Sequence, residues 1–326
     1  MSLLITGGAG FIGSHLVDHL LAATTERLVV LDNFNDYYDP RLKRENVAAW
    51  AKNSRLTLVE ADFGDQDTAE SLLLEHQVRV VCHLGASPGV PASLKHPREY
   101  FENNVVGTVT LLEAARRHKV GKFLFASSST VYGRGAAAPF VEDAPLGIPA
   151  SPYGASKRAA EVAGLTYHQL FGVPFVSLRF FNVYGPRLRP ELALAVFTRS
   201  ILEGTPLPLF GDGSVLRDFT HVSDICGGIV AAMNAPNISG QCINLGHDQP
   251  IAIRRLIELI EAAAGATAMI EHRAPRSEDM PLTHADLAKA RQLLGYEPKV
   301  EIAAGVREYV QWFRRGAGFQ PATKTA

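Results

Sequence analysis

Ser2-Leu3-Leu4-Ile5-Thr6-Gly7-Gly8-Ala9-Gly10-Phe11-Ile12-Gly13 is the stretch that decides the fold. Its first five residues form an apolar run of strand length, and residues 14–22 continue as an apolar-periodic helix. Between them Gly7, Gly10 and Gly13 stand at intervals of three, a variant of the dinucleotide fingerprint. Glycine suits each place for a physical reason: a tight turn, close approach of backbone N–H groups to a pyrophosphate, and a helix N-terminus facing that anion. Phe11 and Ile12, inside the same loop, join the candidate cofactor contacts.

Working outward, the strand–helix alternation repeats. Residues 27–31 read as a second strand ending in Asp32 and Asn33, about 20 residues beyond the loop, where such folds place an acidic residue. A carboxylate there accepts both ribose hydroxyls of adenosine and repels a 2′-phosphate, so Asp32 points to NAD, with Asn33 and Asn35 beside it. Residues 56–60 lead to Asp62 and Phe63, a polar–aromatic pair suited to the edge and face of adenine. Residues 78–83 form another strand, and the small residues in Leu84-Gly85-Ala86-Ser87 let a cofactor pass over the sheet. A helix over 100–119 carries Asn103 near its start. The strand at 122–126 ends in Ser127-Ser128-Ser129-Thr130, and a sixth strand runs over 175–180 to Phe180. This is an α/β pattern, a doubly wound parallel sheet of Rossmann type, in which ligands bind at the C-terminal strand ends.

The chemistry comes from Ser151-Pro152-Tyr153-Gly154-Ala155-Ser156-Lys157. Pro152 suits the first turn of a helix, which stacks Tyr153 and Lys157 four residues apart on one face. A phenol titrating near ~10 is a poor base at neutral pH. An ammonium beside it favours the phenolate, and a cationic cofactor ring favours it further. With Ser128 upstream, the set reads as a device for taking a proton from an alcohol.

Composition narrows the partners. The 326 residues carry a formal net charge of -1, which gives no electrostatic reason to expect nucleic acid or an anionic membrane. The three cysteines lack metal-ligand spacing, so no metal site is expected, and Cys82 lies in an apolar run as a buried thiol would. No run is long and apolar enough to span a bilayer, and no charged leader precedes the glycine loop; the expectation is a cytoplasmic protein. Beyond residue 182 the pattern changes, with Pro186, Pro190, Pro206 and Pro208, a helix over 192–203, a turn at Gly211-Asp212-Gly213 and a helix capped by Asp224. Further helical stretches are read at 251–264, 284–294 and 302–314. The expected division is a NAD-binding Rossmann domain over 1–180 and 217–246, a smaller C-terminal substrate domain over 181–216 and 247–316, and a flexible tail over 317–326.

Taken together these motifs resemble the extended short-chain dehydrogenase/reductase family and, within it, the nucleotide-sugar 4-epimerases. The resemblance covers nearly the whole chain. It implies Ser128, Tyr153 and Lys157 as a catalytic triad, NAD as cofactor and a UDP-sugar as substrate. Ser87, Ser128, Ser129, Tyr153, Asn182, Arg189, Phe210, Arg217, Arg276 and Asp279 are the implied substrate contacts, with Arg217 and Arg276 at the diphosphate. It also suggests a homodimer through helices near 104–118 and 153–170. The related 4,6-dehydratases use carboxyl groups where this chain has Ser129 and Thr130, which argues against water elimination. Asp36-Tyr37-Tyr38-Asp39-Pro40 and Arg189-Pro190-Glu191-Leu192 look like UDP-glucuronate 4-epimerases, and Arg189 could fork onto a C6 carboxylate. Pro91 stands where that group has Arg, and Asn182 where it has Thr. UDP-glucose or UDP-N-acetylglucosamine epimerisation, a UDP-glucuronate decarboxylase and a NAD-sensing scaffold therefore stay open as alternatives.

Overall fold

The six apolar runs become six parallel strands: β1 (Ser2–Thr6), β2 (Arg27–Asp32), β3 (Leu56–Glu60), β4 (Val78–His83), β5 (Lys122–Ser128) and β6 (Phe175–Phe180). The structure, a computed structural model, describes residues 2–276 and 279–317. Beyond β6 lie β7 (Asn182–Tyr184), β8 (Pro206–Phe210), β9 (Leu216–Arg217), β10 (Phe219–His221), β11 (Cys242–Leu245), β12 (Ile251–Ala252) and β13 (Met269–Arg273). The large sheet has the order β11-β6-β5-β4-β1-β2-β3. Its seventh strand, β11, escaped the sequence reading because it is four residues long and has Asn244 in its middle.

Apart from the half-exposed edge strand β3, the strands of this sheet are covered on both faces, which is why they read as continuous apolar runs. Leu3 and Ile5 face one core with Val30, Leu124 and Leu178, against the helices Phe11–Ala23 and Val222–Asn234. Leu4 faces the other with Val29, Phe123 and Phe175, against the helices Gln66–Glu75, Thr108–Arg117 and Pro152–Phe171. Strand order reverses between β1 and β4. The Leu84 N–H donates to the Thr6 carbonyl at 3.2 Å, so the loops leaving both strands meet at that switch point. A crevice opens where the two flanking connections diverge to opposite faces.

The remaining elements form smaller assemblies: β8 pairs with β13, β9 with β12 and β7 with β10. The helix Ile253–Ala264 packs on both Ala193–Glu203 and Ile302–Trp312.

Several boundaries differ from the sequence reading for local reasons. The first helix starts at Phe11, inside the glycine loop, with extended Gly10 as its N-cap. The stretch expected as one helix over 100–119 is Pro97–Phe101, a π-helical turn Glu102–Gly107 and Thr108–Arg117. Asp224 does not cap its helix: His221 does, accepting the Ser223 N–H, and the Asp224 carboxylate instead accepts the Val300 N–H at 3.0 Å. Of 284–294 only Ala288–Leu294 is helical. The expected tail, 317–326, lies outside the described residues apart from Ala317.

Candidate active site

The glycine loop owes its shape to contacts that a side chain would break. Gly7 has φ +66°, and a Cβ there would meet the Gly85 backbone at 2.8 Å; one on Gly13 would sit 2.3 Å from the Gly7 carbonyl oxygen. Gly7, Gly10, Phe11, Ile12 and Gly13 line one cavity with Asp32, Asn35, Leu84, Gly85 and Ala86. The same cavity is lined by Ser127, Ser128, Tyr153, Lys157, Phe180, Asn182 and Arg189. A single concavity therefore joins the fingerprint, the acidic strand end, the hydroxyl–phenol–amine set and one arginine.

Asp32 is almost wholly buried and oriented from three sides. Its Oδ2 accepts the Ala9 N–H at 3.1 Å, and its Oδ1 accepts the Phe34 N–H at 2.9 Å and the Lys43 ammonium at 3.2 Å. Asp32 lines the cavity, and Oδ2, with a single donor, keeps acceptor capacity that suits a ribose hydroxyl. Lys43, which also donates to Asn35 Oδ1 at 3.1 Å, was not foreseen. It lies in a charged helix, Pro40–Val47, whose sequence gives no reason to bury it; only Asp32 supplies the reason.

A shallower depression beside the cavity gathers Asn33, Asn35, Asp62, Ser87 and Asn103. Asn33 donates to Asp62 Oδ2 at 2.8 Å. Phe63 does not present its ring there. It packs edge-on against His83, centroids 4.8 Å apart, within the core, because the ring gains more by burial than by facing solvent. The ring expected at the face of adenine is 7% exposed in this structure. Ser87 belongs to this depression, beside the main cavity. The Ser87 hydroxyl accepts from Asn103 at 2.8 Å, and its backbone is clamped by Asn104, a buried residue that also reaches Ser156 Oγ at 3.0 Å. The π-helical turn is what aims Asn103 and Asn104 at this loop.

Pro152 opens its helix with the Ser151 hydroxyl as N-cap, and this presents Tyr153 and Lys157 to the cavity. Both lie in the one cavity, as the four-residue spacing leads one to expect. Lys157 Nζ donates to the Ala126 carbonyl at 2.8 Å and lies 4.8 Å from the Phe125 ring centre. Burial brings its pKa down to about 7. The Tyr153 phenol is pushed above its usual value by burial; Arg189 and a hydrogen bond with Ser128 pull it back. Tyr100, unforeseen, packs edge-on against Tyr153 with centroids 6.2 Å apart. Ser128 also accepts from Thr130 Oγ1 at 2.9 Å, which fixes its hydroxyl.

The remaining predicted contacts separate into groups. Asn182 accepts from the Thr283 hydroxyl at 3.2 Å, and Arg189 pairs with Glu191 at 3.1 Å. Ser129 is buried and does not line the cavity. Phe210, Arg217, Arg276 and Asp279 do not line it either. They form their own cluster: the Arg276 guanidinium lies 3.6 Å from the Phe210 ring centre, and Arg217 pairs with Asp279 at 3.4 Å. Among the described residues no group of three or more His, Cys, Asp or Glu could hold a metal ion. No helix among them is long and apolar enough to cross a membrane.

The model of the NAD dependent epimerase/dehydratase family matches residues 3–246. A UDP-glucuronate 4-epimerase from Thermodesulfobacterium geofontis is 37% identical over 310 residues, covering 95% of each chain. The crystal structure of a UDP-glucuronic acid 4-epimerase from Bacillus cereus, with UDP-glucuronic acid and NAD, aligns with a TM-score of 0.92 at 38% identity, over 97% of this chain and 99% of that one. A dTDP-glucose 4,6-dehydratase from Streptomyces venezuelae aligns with a TM-score of 0.91 at 32% identity, over 98% of both chains.

Proposed function

The chain belongs to the NAD dependent epimerase/dehydratase family, and we propose that it is a NAD-dependent UDP-sugar 4-epimerase that interconverts UDP-glucuronate and UDP-galacturonate. The observation that carries this reading is the single cavity in which Ser128, Tyr153, Lys157 and Arg189 meet the glycine loop and Asp32. The likeness to UDP-glucuronate 4-epimerases, one of them solved with NAD and UDP-glucuronic acid, supports the substrate.

The residues fit NAD. The loop backbone leaves room for a pyrophosphate against the helix N-terminus, Asp32 can take ribose hydroxyls, and Lys157 can hold the second ribose. When bound, NAD supplies the hydride acceptor at C4 and gives the hydride back, so no net oxidation occurs. Tyr153 removes the proton of the sugar 4-hydroxyl, and Ser128 donates a hydrogen bond to the same oxygen. The 4-keto sugar then turns about its diphosphate, held by Arg217 and Arg276, so that C4 takes the returning hydride on its opposite face while Tyr153 gives the proton back to the C4 oxygen. Arg189 pairs with the C6 carboxylate. Ser129 and Thr130 provide no carboxyl group for water elimination, which separates the reading from the dehydratases that share the fold.

A second reading, a UDP-glucose or UDP-N-acetylglucosamine epimerase, is favoured by Pro91 and Asn182, which bring no charge to the sugar. We place the cofactor domain at 1–180 and 217–246 and the substrate domain at 181–216 and 247–316. The exposed Val106, Val162, Leu170 and Phe171 on two neighbouring helices support a homodimer, which light scattering tests. A cytoplasmic location suits a dinucleotide cofactor and three free cysteines. Incubation with a panel of UDP-sugars, read by NMR of the C4 configuration, tests the function. UDP-galacturonate formed from UDP-glucuronate is the expected product, and no inversion of any UDP-sugar after NAD addition rejects the reading.

A further inference from the structure

Arg189-Pro190-Glu191-Leu192 closes as a turn, the Leu192 N–H donating to the Arg189 carbonyl at 3.2 Å. Pro190 at its second position supplies the φ that such a turn requires. The turn folds Glu191 back onto its neighbour, so that Arg189 Nε lies 3.1 Å from Glu191 Oε1. The guanidinium also lies 5.8 Å from the Tyr37 ring centre. Its side chain is 17% exposed while that of Glu191 is 38% exposed, so the cation lines the cavity with its counter-ion on the solvent side.

We propose that Glu191 is a specificity-determining residue: it neutralises Arg189 when the sugar brings no carboxylate, so that the site turns over UDP-hexoses with CH₂OH at C6 as well as UDP-glucuronate. The inference rests on the UDP-sugar 4-epimerase reading. A half-buried arginine covered by a neutral sugar would lose water and gain no anion, and that cost would exclude the neutral substrate. Glu191 removes the cost. It also competes with a C6 carboxylate for the same guanidinium and repels it. Both effects narrow the preference for the uronate. Asn182, which lines the cavity and is bonded to Thr283, adds no cation there.

The test is competition between UDP-glucuronate and UDP-glucose in one tube, with the full chain and Glu191→Gln. Glutamine keeps the size of the side chain and an oxygen that can accept from Arg189 Nε, so the guanidinium stays oriented while its counter-charge is lost. The ratio of kcat/KM, uronate over glucose, is expected to rise about tenfold, equivalent to roughly 1.4 kcal/mol, chiefly through KM. In an Arg189→Met background the same substitution should leave the ratio unmoved. A ratio in Glu191→Gln that stays level or falls overturns the proposal and makes Glu191 only a brace for Arg189. A parent protein that inverts neither sugar overturns the epimerase reading itself, a result distinct from an unmoved ratio.

Discussion

At the scale of single residues, Tyr153 is in a demanding position. Burial holds its phenol above the ordinary value, and the chain's own help comes from Arg189 and Ser128. Tyr153→Phe keeps the ring against Tyr100 and removes the ionisable oxygen. Turnover should fall by about 10²–10⁴-fold, the range for loss of a general base, with KM little changed; steady-state kinetics on UDP-glucuronate decides it, and near-normal turnover would show the phenol to be only a wall of the cavity. Arg189→Ala removes the charge opposite C6. A charge-assisted contact of roughly 1.5–3 kcal/mol corresponds to about ten- to a hundredfold, so KM for UDP-glucuronate should rise far more than KM for UDP-glucose. Equal rises would place Arg189 outside the sugar pocket. Tyr153, Lys157 and Arg189 were legible because each stands in a motif of fixed spacing. Lys43, Tyr100 and Asn104 were not, since their roles depend on partners distant in the sequence.

At the scale of elements, the helix Pro152–Phe171 is tied to β6 by a buried pair. Arg179 contacts Glu161 at 2.6 and 3.2 Å, Ser177 donates to the same carboxylate at 2.6 Å, and both charged side chains are 3% exposed. Glu161 lies one turn beyond Lys157, so this pair sets the rotation of the face that carries the chemistry. Arg179→Met alone leaves a buried carboxylate unpaired and should cost about 3–5 kcal/mol. Adding Glu161→Leu should restore much of that loss, and a urea double-mutant cycle measures the coupling; additive losses would mean that the two charges act independently. Asn104 does comparable work at the π-helical turn, where it holds Ser87 to Ser156. Asn104→Ala should lower stability by about 1–3 kcal/mol through unsatisfied buried groups, and the loosened Ser87 loop should release NAD faster on dilution, as followed by gel filtration.

At the scale of the whole molecule, acid acts on the fold through two imidazoles, His83, fully buried, and His15, half-buried. Burial brings His83 from 6.5 to about 3 and His15 from 6.5 to about 4. His83 bridges Thr6 and Thr108 at 2.6 and 3.0 Å, while His15 reaches the Pro186 carbonyl at 2.8 Å. Both folded values lie below the unfolded one, so the unfolded chain binds more protons between about pH 3 and 6.5. Stability should therefore fall as pH drops through that window, by at most about 1.4 kcal/mol per pH unit for each group. His83→Gln keeps hydrogen-bonding capacity without the charge and should flatten the acid limb of Tm against pH. An unchanged limb would assign acid sensitivity to other groups.

What the chain determined by itself was everything carried by local period and spacing. Continuous apolar runs dictated strands buried on both faces, the glycine intervals dictated the turn into a helix, and a four-residue interval put Tyr153 and Lys157 on one face. Tertiary structure decided whatever depends on competition between distant partners. Lys157 turned to the Ala126 carbonyl, Phe63 went into the core, and Lys43 was drawn in by Asp32. The seventh strand formed because β6 had an open edge for Cys242–Leu245 to pair with. Local geometry acts within a few residues and is written into the spacing of side chains. Desolvation and pairing act between residues far apart in the chain, and their outcome exists only once the sheet has brought them together.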